Sequence, residues 1–270
     1  MASTKKKQKE INVLPSKTLL IMECLADNWM PMRLLDIAEK LNLSQPTVLR
    51  YLAPLVQSNY AYQEEDTLRY GLTMKICKLS NQVNSNLSIR SIVSPYLNWL
   101  SSNLQVSSCL VTEQNFKALY IDLAEKPGFA VSTFQHIGKH APLNATGSGK
   151  VLLSTYSDRQ LNDFITTMGL EKLTPNTITT KERLVNELDM IRKYGYAIDS
   201  EECELGIRCV SLPIYNYTDK IIAALSLFDL PENLNHERIN QEILPTMNRI
   251  QQLISLRMGS SVKPTYKIYE

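Results

Sequence analysis

Residues 44–57 read SQPTVLRYLAPLVQ. Val48, Leu52, Leu55 and Val56 recur at helical spacing and form one apolar stripe. Ser44 stands where a helix cap belongs, and Pro46 falls in the first turn, where amide hydrogens have no internal partner. The other face carries Gln45, Thr47, Arg50 and Tyr51. Such side chains reach base edges and phosphates when a recognition helix enters a major groove. Pro54 lies inside the helix and is expected to bend its C-terminal half.

The flanks complete a pattern. Upstream, SKTLLIMECLADN predicts a helix starting near Ser16, with Leu19, Met22 and Ala26 on its stripe and Leu25 beside it. RLLDIAEKLN predicts a second helix, with Leu34, Ile37, Ala38 and Leu41 on one face. The turn NLS then leads into the helix quoted above. Downstream, YAYQEEDTLRYGL predicts a hairpin around EEDT. Three short helices and a hairpin are the parts of a winged helix-turn-helix over residues 13–72. The plainer alternative is a three-helix subdomain whose exposed face is merely polar. Glu64, Glu65 and Asp66 make the wing tip acidic and repel phosphate, so a DNA contact near the wing falls to Arg69 or the backbone.

Residues 73–88 are helical in period but polar, which suits a linker helix. IRSIVSPYLNWLSSNL continues as a helix with Ile89, Val93, Leu97 and Leu100 on one face, and Pro95 implies a kink or a new start. From Val106 strands and helices alternate. VSSCLVTEQNFKALYIDLAE predicts two strands around EQNF, and FAVSTFQHIG a further strand. KVLLSTY and SDRQLNDFITTMG predict helices, the second with a Ser157–Gln160 capping box. TKERLVNELDMIRKYG predicts a helix with a box from Thr179 to Glu182, a Leu184, Leu188, Ile191 stripe and Gly195 as its stop. YAIDSEE, RCVSLPIYN and KIIAALSLFD predict strands, the last two joined at YTD, before a final helix from about Glu237 to Arg257. Residues 1–12 form a basic tail that is flexible or brushes phosphates, and 259–270 a flexible tail.

The chain has 270 residues, 44% hydrophobic and 21% charged, which suits two globular domains and excludes disorder for its bulk. Its longest apolar stretch, residues 221–228, is far below the ~20 residues of a membrane span. The N-terminus lacks the apolar segment of a signal peptide, so a cytoplasmic protein is expected. Five cysteines without a CxxC pair argue against a disulfide framework or a zinc ribbon. The net charge of +2 makes no case for DNA by itself, so a DNA-binding surface must be local.

Residues from about 13 to 258 resemble an IclR-type bacterial transcription regulator. The helix-turn-helix with YGL ending its hairpin carries part of the resemblance. More specific are IGKHAPLNATGSGKVLLS, TPNTITTKERLVNELDMIRKYGYAIDSEECELGIRCVSLPI and IAALSLF, in that order. The resemblance implies an α+β protein: an N-terminal winged helix-turn-helix, a linker helix at 73–88, and a C-terminal GAF-like effector domain at 89–258 with an antiparallel sheet. It implies homodimers or homotetramers, double-stranded operator DNA and a small carboxylate effector as partners, no cofactor, and repression of a catabolic operon. Its effector pocket falls on Gly147 and Ser148 in a Gly-rich turn, Asp199 after the long helix, Cys209, and two positions of the last core strand, Ser226 and Phe228. Phe228 departs from the family, where a hydroxyl stands; a ring there shrinks the pocket or turns a hydrogen bond into an apolar wall.

The residues allow part of this. Glycines in TGSGK can turn amides outward at a helix start, which favours a carboxylate. Strand alternation puts Ser226 and Phe228 on one face, and Cys209 on the face of Ile207 and Ser211. The alternative is that Gly147 and Gly149 only shape a turn and Cys209 is a core thiol. GSGK is no phosphate loop, because Asn144 and Val151 stand where Gly and Ser or Thr are required. His136 and His140 are four apart but straddle Gly138 and are expected to be satisfied locally rather than to hold a metal. Glu201, Glu202 and Glu204 read as a solvated run. A different class of function remains open: a small-molecule binding protein or a hydrolase using Cys209, its N-terminal helices serving only for dimerisation.

Overall fold

A computed structural model describes residues 13–86, 88–126, 136–263 and 265–268, with the backbone alone for 13–16 and 81–86. The expected basic tail and most of the FAVSTFQHIG strand lie outside these residues. The chain forms two compact units that divide between residues 87 and 88.

In the first unit, α1 (Val13–Ala26), α2 (Leu34–Leu41) and α3 (Gln45–Gln57) pack on one another, and β1 (Ala61–Gln63) pairs antiparallel with β2 (Tyr70–Leu72). Helix α4 (Lys75–Asn86) follows. Asn42 closes α2 in the left-handed region (φ 52°), and its amide bonds back to Ala38 and Glu39. That turn feeds α3. Ile37, Ala38, Val48, Leu52 and Leu55 are buried, as their spacing requires. The stripe expected for α1 is rotated: Leu19 is 57% exposed and Ala26 is exposed, while Ile21, Cys24 and Leu25 enter the core. In LLIMECLA apolar residues surround the helix, so period alone does not choose the face. Ser44 begins α3 but makes no cap to the backbone; its hydroxyl bonds Thr47 Oγ1 at 2.7 Å.

The second unit is a six-stranded antiparallel sheet in the order β5-β4-β3-β8-β7-β6. Its strands are β3 (Ser107–Gln114), β4 (Lys117–Ala124), β5 (His140–Pro142), β6 (Ala197–Ser200), β7 (Arg208–Tyr215) and β8 (Ile221–Asp229). Helix α5 (Ile89–Leu104) runs unbroken through Pro95. With α10 (Leu244–Arg257) it covers the face bearing Leu110, Leu212, Leu225 and Leu227. Helices α6 (Gly147–Leu153), α7 (Asp158–Met168) and α8 (Lys181–Tyr194) cover the face bearing Cys109, Val111, Cys209, Ala224 and Phe228. Covered on both sides, β8 is a continuous run of buried residues from its third position onward, which is why IIAALSLF shows no alternation. The last helix begins at α9 (His236–Arg238) and passes through a π turn (Ile239–Ile243) into α10.

Local signals explain the boundaries. The Ser157–Gln160 box starts α7, and Gly195 at φ 86° ends α8. Thr180, not Thr179, caps α8 by accepting the Arg183 amide, and no box to Glu182 forms. The β3–β4 hairpin turns at Asn115 and Phe116, both at positive φ, as a two-residue turn requires. A ring in that strained position is held by Tyr156 and Phe164, at 6.4 and 6.1 Å. The stretch after Gly259 is tied down rather than frayed. Ser260 Oγ and the Ser261 amide donate to Asp219, and the Lys267 amide donates to the Tyr194 carbonyl.

Leu212 is fully buried on β7. Leu212→Ala is expected to cost ~2–5 kcal/mol in chemical denaturation. Leu205→Ala, at a residue 62% exposed, should stay within ~0.5 kcal/mol. Equal costs would refute the placement of the core.

Candidate functional site

Two sets of residues carry chemistry, one in each unit. In the first, α3 shows Gln45 and Arg50 to solvent, with Thr47 half-buried. Leu49 beside them is 46% exposed, an apolar position that polarity alone does not single out. Tyr51 departs from expectation. It is buried in the three-helix core, because position 51 is three after Val48 and four before Leu55 and so falls on their side. Its ring lies 5.9 Å from the Arg50 guanidinium carbon. Arg69 is also tied down: its guanidinium donates to the Pro31 carbonyl at 3.3 Å, beside the bridge from Met32 to Tyr70. It braces the wing against the loop before α2. The wing tip residues Glu65 and Asp66 are exposed and Glu64 half-buried, with the Thr67 hydroxyl donating to the Glu64 carboxylate.

In the second unit the register brings the expected residues together on the face under α6. Ser211 lies opposite Ser226, Ser226 opposite Cys109, and Cys209 between Asp199 and Phe228. Ser226 Oγ is 2.7 Å from Ser211 Oγ and 2.8 Å from Ser148 Oγ, and Cys209 Sγ is 3.4 Å from Ser211 Oγ. A β-carbon on Gly147 would stand 2.8 Å from Ser211 Oγ, so a larger residue would displace that hydroxyl from its bond to Ser226. Phe228 is 1% exposed and supplies an apolar wall on the same face.

Two groups escaped sequence reasoning. Lys150 is fully buried, and its Nζ donates to Glu202 Oε1 (2.6 Å), Glu187 Oε1 (2.8 Å) and the Ile198 carbonyl (2.8 Å). Burial alone would depress its pKa; Glu202 and Glu187 more than reverse this and leave it above the ordinary lysine value. Glu202 is therefore a buried partner, not part of a solvated run, and its distance of 52 residues from Lys150 explains why no local pattern announces it. Tyr120 is the other: buried on β4, with Cys109, Cys203, Cys209 and Asp199 close enough to raise its pKa beyond what burial does.

Asp199 Oδ1 accepts the amides of Glu202 (2.7 Å) and Cys203 (3.4 Å). Burial, then Glu202, pushes its carboxyl up to about 7, against the pull of Lys150. Cys209 is pushed up to about 12, by burial and then by Asp199. At neutral pH this holds it as a protonated thiol. The loops above are stitched together, Thr177 Oγ1 donating to the Glu202 carbonyl (2.6 Å) and Thr174 Oγ1 to that of Glu201 (2.7 Å). His140 Nε2 sits 3.1 Å from Gln114 Oε1, and His136 Nδ1 3.3 Å from the Ile137 carbonyl. Among the described residues, no group of three or more His, Cys, Asp and Glu is placed to hold a metal ion. Nor is any described helix long and apolar enough to cross a membrane.

A winged helix-turn-helix followed by a curled antiparallel sheet domain defines a bacterial DNA-binding transcription regulator with a separate sensing domain. Residues 15–65 match the IclR helix-turn-helix domain, and residues 81–256 the bacterial transcriptional regulator IclR C-terminal family. The chain belongs to the IclR family. It is 30% identical over 219 residues to the HTH-type transcriptional regulator XynR of Escherichia coli, covering 81% of this chain and 86% of that one. It is 26% identical over 247 residues to the p-hydroxybenzoate hydroxylase transcriptional activator of Acinetobacter baylyi, covering 88% and 90%. The crystal structure of the Thermotoga maritima IclR superposes with a TM-score of 0.61 at 28% identity, covering 91% of this chain and 98% of that one.

Asp199 is ionised in the unfolded chain above its ordinary pKa of 3.8 but holds its proton in the folded one until about pH 7. The folded state binds more protons in that window, so stability falls as pH rises through it. Asp199→Asn removes this loss. Its stability relative to the wild type should grow by roughly 2 kcal/mol between pH 5 and pH 8 in urea denaturation. A constant difference would mean that Asp199 does not titrate there.

Proposed function

We propose that this chain is a one-component repressor of a catabolic operon, acting in the cytoplasm as a homodimer or homotetramer, whose operator affinity is set by a small organic or sugar-derived acid. One observation carries the DNA-binding half of the reading. Gln45, Thr47 and Arg50 stand on the outer face of α3, directly after the tight turn at Asn42, while the opposite face is locked in the core. A helix held this way can enter a major groove with its N-terminal residues foremost. A dimer then reads two half-sites related by its own symmetry. Repression needs only occupancy of the operator, and no further surface has to be assumed.

The effector half of the reading rests on the second unit. Gly147, Ser148, Asp199, Cys209 and Ser226 converge at α6, with Phe228 as the wall, and side-chain hydrogen bonds tie the roof loops to each other. Small changes there can shift the roof. An effector alters DNA affinity only through differential affinity for two arrangements of the protein. The A. baylyi relative, named for control of p-hydroxybenzoate hydroxylase, supports a catabolic context.

The operator is obtained by sequencing the genomic fragments that the full-length protein retains. On that operator Arg50→Ala should weaken binding several-fold or more in gel-shift titrations, and wild-type affinity should fall steeply with salt as phosphate contacts release counterions. Unchanged affinity in Arg50→Ala sinks the recognition-helix assignment, and a flat salt dependence sinks DNA binding by this surface.

A further inference from the structure

The solvent face of α3 is apolar along its middle. Pro46, Leu49 and Ala53 are all exposed. They follow one another at intervals of three and four residues, so at 3.6 residues per turn they share one stripe. By the same geometry Gln45 flanks the stripe on one side and Arg50 on the other. Val48, Tyr51, Leu52 and Leu55 are buried on the opposite side of the helix.

Polar readers are few on this face. Thr47 is half-buried, and its hydroxyl is already bonded to that of Ser44 at 2.7 Å. Gln45 and Arg50 are left, one at each edge of the stripe. A single exposed leucine is ordinary on a protein surface. Leu49 differs by its position. It is 46% exposed and lies in the second turn of α3, between the two side chains best placed for base edges. Such a side chain cannot hydrogen-bond. In the major groove the C5 methyl of thymine is the apolar group that a base pair offers, beside the donors and acceptors.

We infer that Leu49 is a specificity-determining residue that reads the C5 methyl of a thymine in each operator half-site, with Pro46 and Ala53 keeping water from the contact. Cytosine is rejected at that position, because it lacks the methyl and turns an amino group toward the apolar stripe. Gln45 and Arg50 then hydrogen-bond neighbouring base pairs. This rests on the reading of α3 as the recognition helix.

Replacing thymine by deoxyuridine removes the methyl alone and keeps the pairing with adenine. On the operator recovered from genomic fragments, each thymine is replaced in turn, in both half-sites at once. Gel-shift titrations with the full-length protein should find a position where the loss weakens wild-type binding about fourfold per methyl, hence roughly tenfold or more for the two half-sites together. Leu49→Ala should bind the thymine operator more weakly than the wild type does. At that same position its affinity should change by less than about twofold on replacement, the mark of a coupled pair in a double-mutant cycle. Its melting midpoint should match the wild type, since Leu49 lies outside the buried core. Leu49→Asn, with the same branched shape but polar tips, serves as a second variant should Leu49→Ala bind too weakly to titrate, with the same loss of response expected. Wild-type affinity indifferent to every replacement overturns the role of Leu49, as does a full response persisting in both variants. In either case the recognition-helix reading survives if Arg50→Ala still weakens binding, and falls with the inference if it does not.

Discussion

The buried ammonium of Lys150 is the constraint on which the sensing domain depends. Taking a lysine fully out of water is costly unless its charge is matched. Here Glu202, Glu187 and the Ile198 carbonyl match it, at 2.6–2.8 Å. Those acceptors belong to three different parts of the chain: the loop after β6, helix α8, and strand β6 itself. One side chain thus fixes α6 against the sheet edge, α8 and the roof loop together. With α6 held at that depth, Ser148 meets Ser226, and a β-carbon on Gly147 would push the Ser211 hydroxyl from its place. The GSGK stretch, which superficially suggests a phosphate loop, uses its lysine for internal charge balance.

The same pairing sets the electrostatics around Asp199. Glu202 is held by Lys150 and gives its backbone amide to Asp199, while its carboxylate raises the Asp199 pKa. The inner cluster is consequently a chain of neutral or half-neutral donors: hydroxyls, thiols and a carboxyl titrating near pH 7.

In the first unit the governing interaction is apolar. Ile37, Val48, Leu52 and Leu55 fix the three helices, and only what remains outside that core is available to DNA. Tyr51 turns into that core, and Arg69 is half-buried beside it. Tyr51 is the inner edge of the stripe and Arg69 a brace to Pro31, while Gln45, Thr47 and Arg50 remain. The near-neutral total charge is compatible with such a surface, since a reader of sequence needs a few placed side chains rather than a basic excess.

The amino-acid order alone determined what depends on neighbours a few residues apart. The Ser157–Gln160 box, the Gly195 stop, the α2 and α3 stripes and a β3–β4 hairpin turning within EQNF are local matters of capping, period and turn conformation, though the structure set the turn at Asn115 and Phe116. Strand alternation likewise paired Ser226 with Phe228 and Cys209 with Ser211, and the register then put both pairs on one face. Tertiary structure decided whatever required distant partners. The face of α1 could not be read because apolar residues surround that helix, and the core took Ile21 and Leu25 rather than Leu19. Lys150 and Glu202 both read as ordinary exposed charges, since nothing within a few residues of either reveals the other. Desolvation is a property of the assembled fold: only when the sheet, α6 and the roof loops close together do a lysine and a glutamate become one buried pair, and an aspartate become an acid with a pKa of about 7.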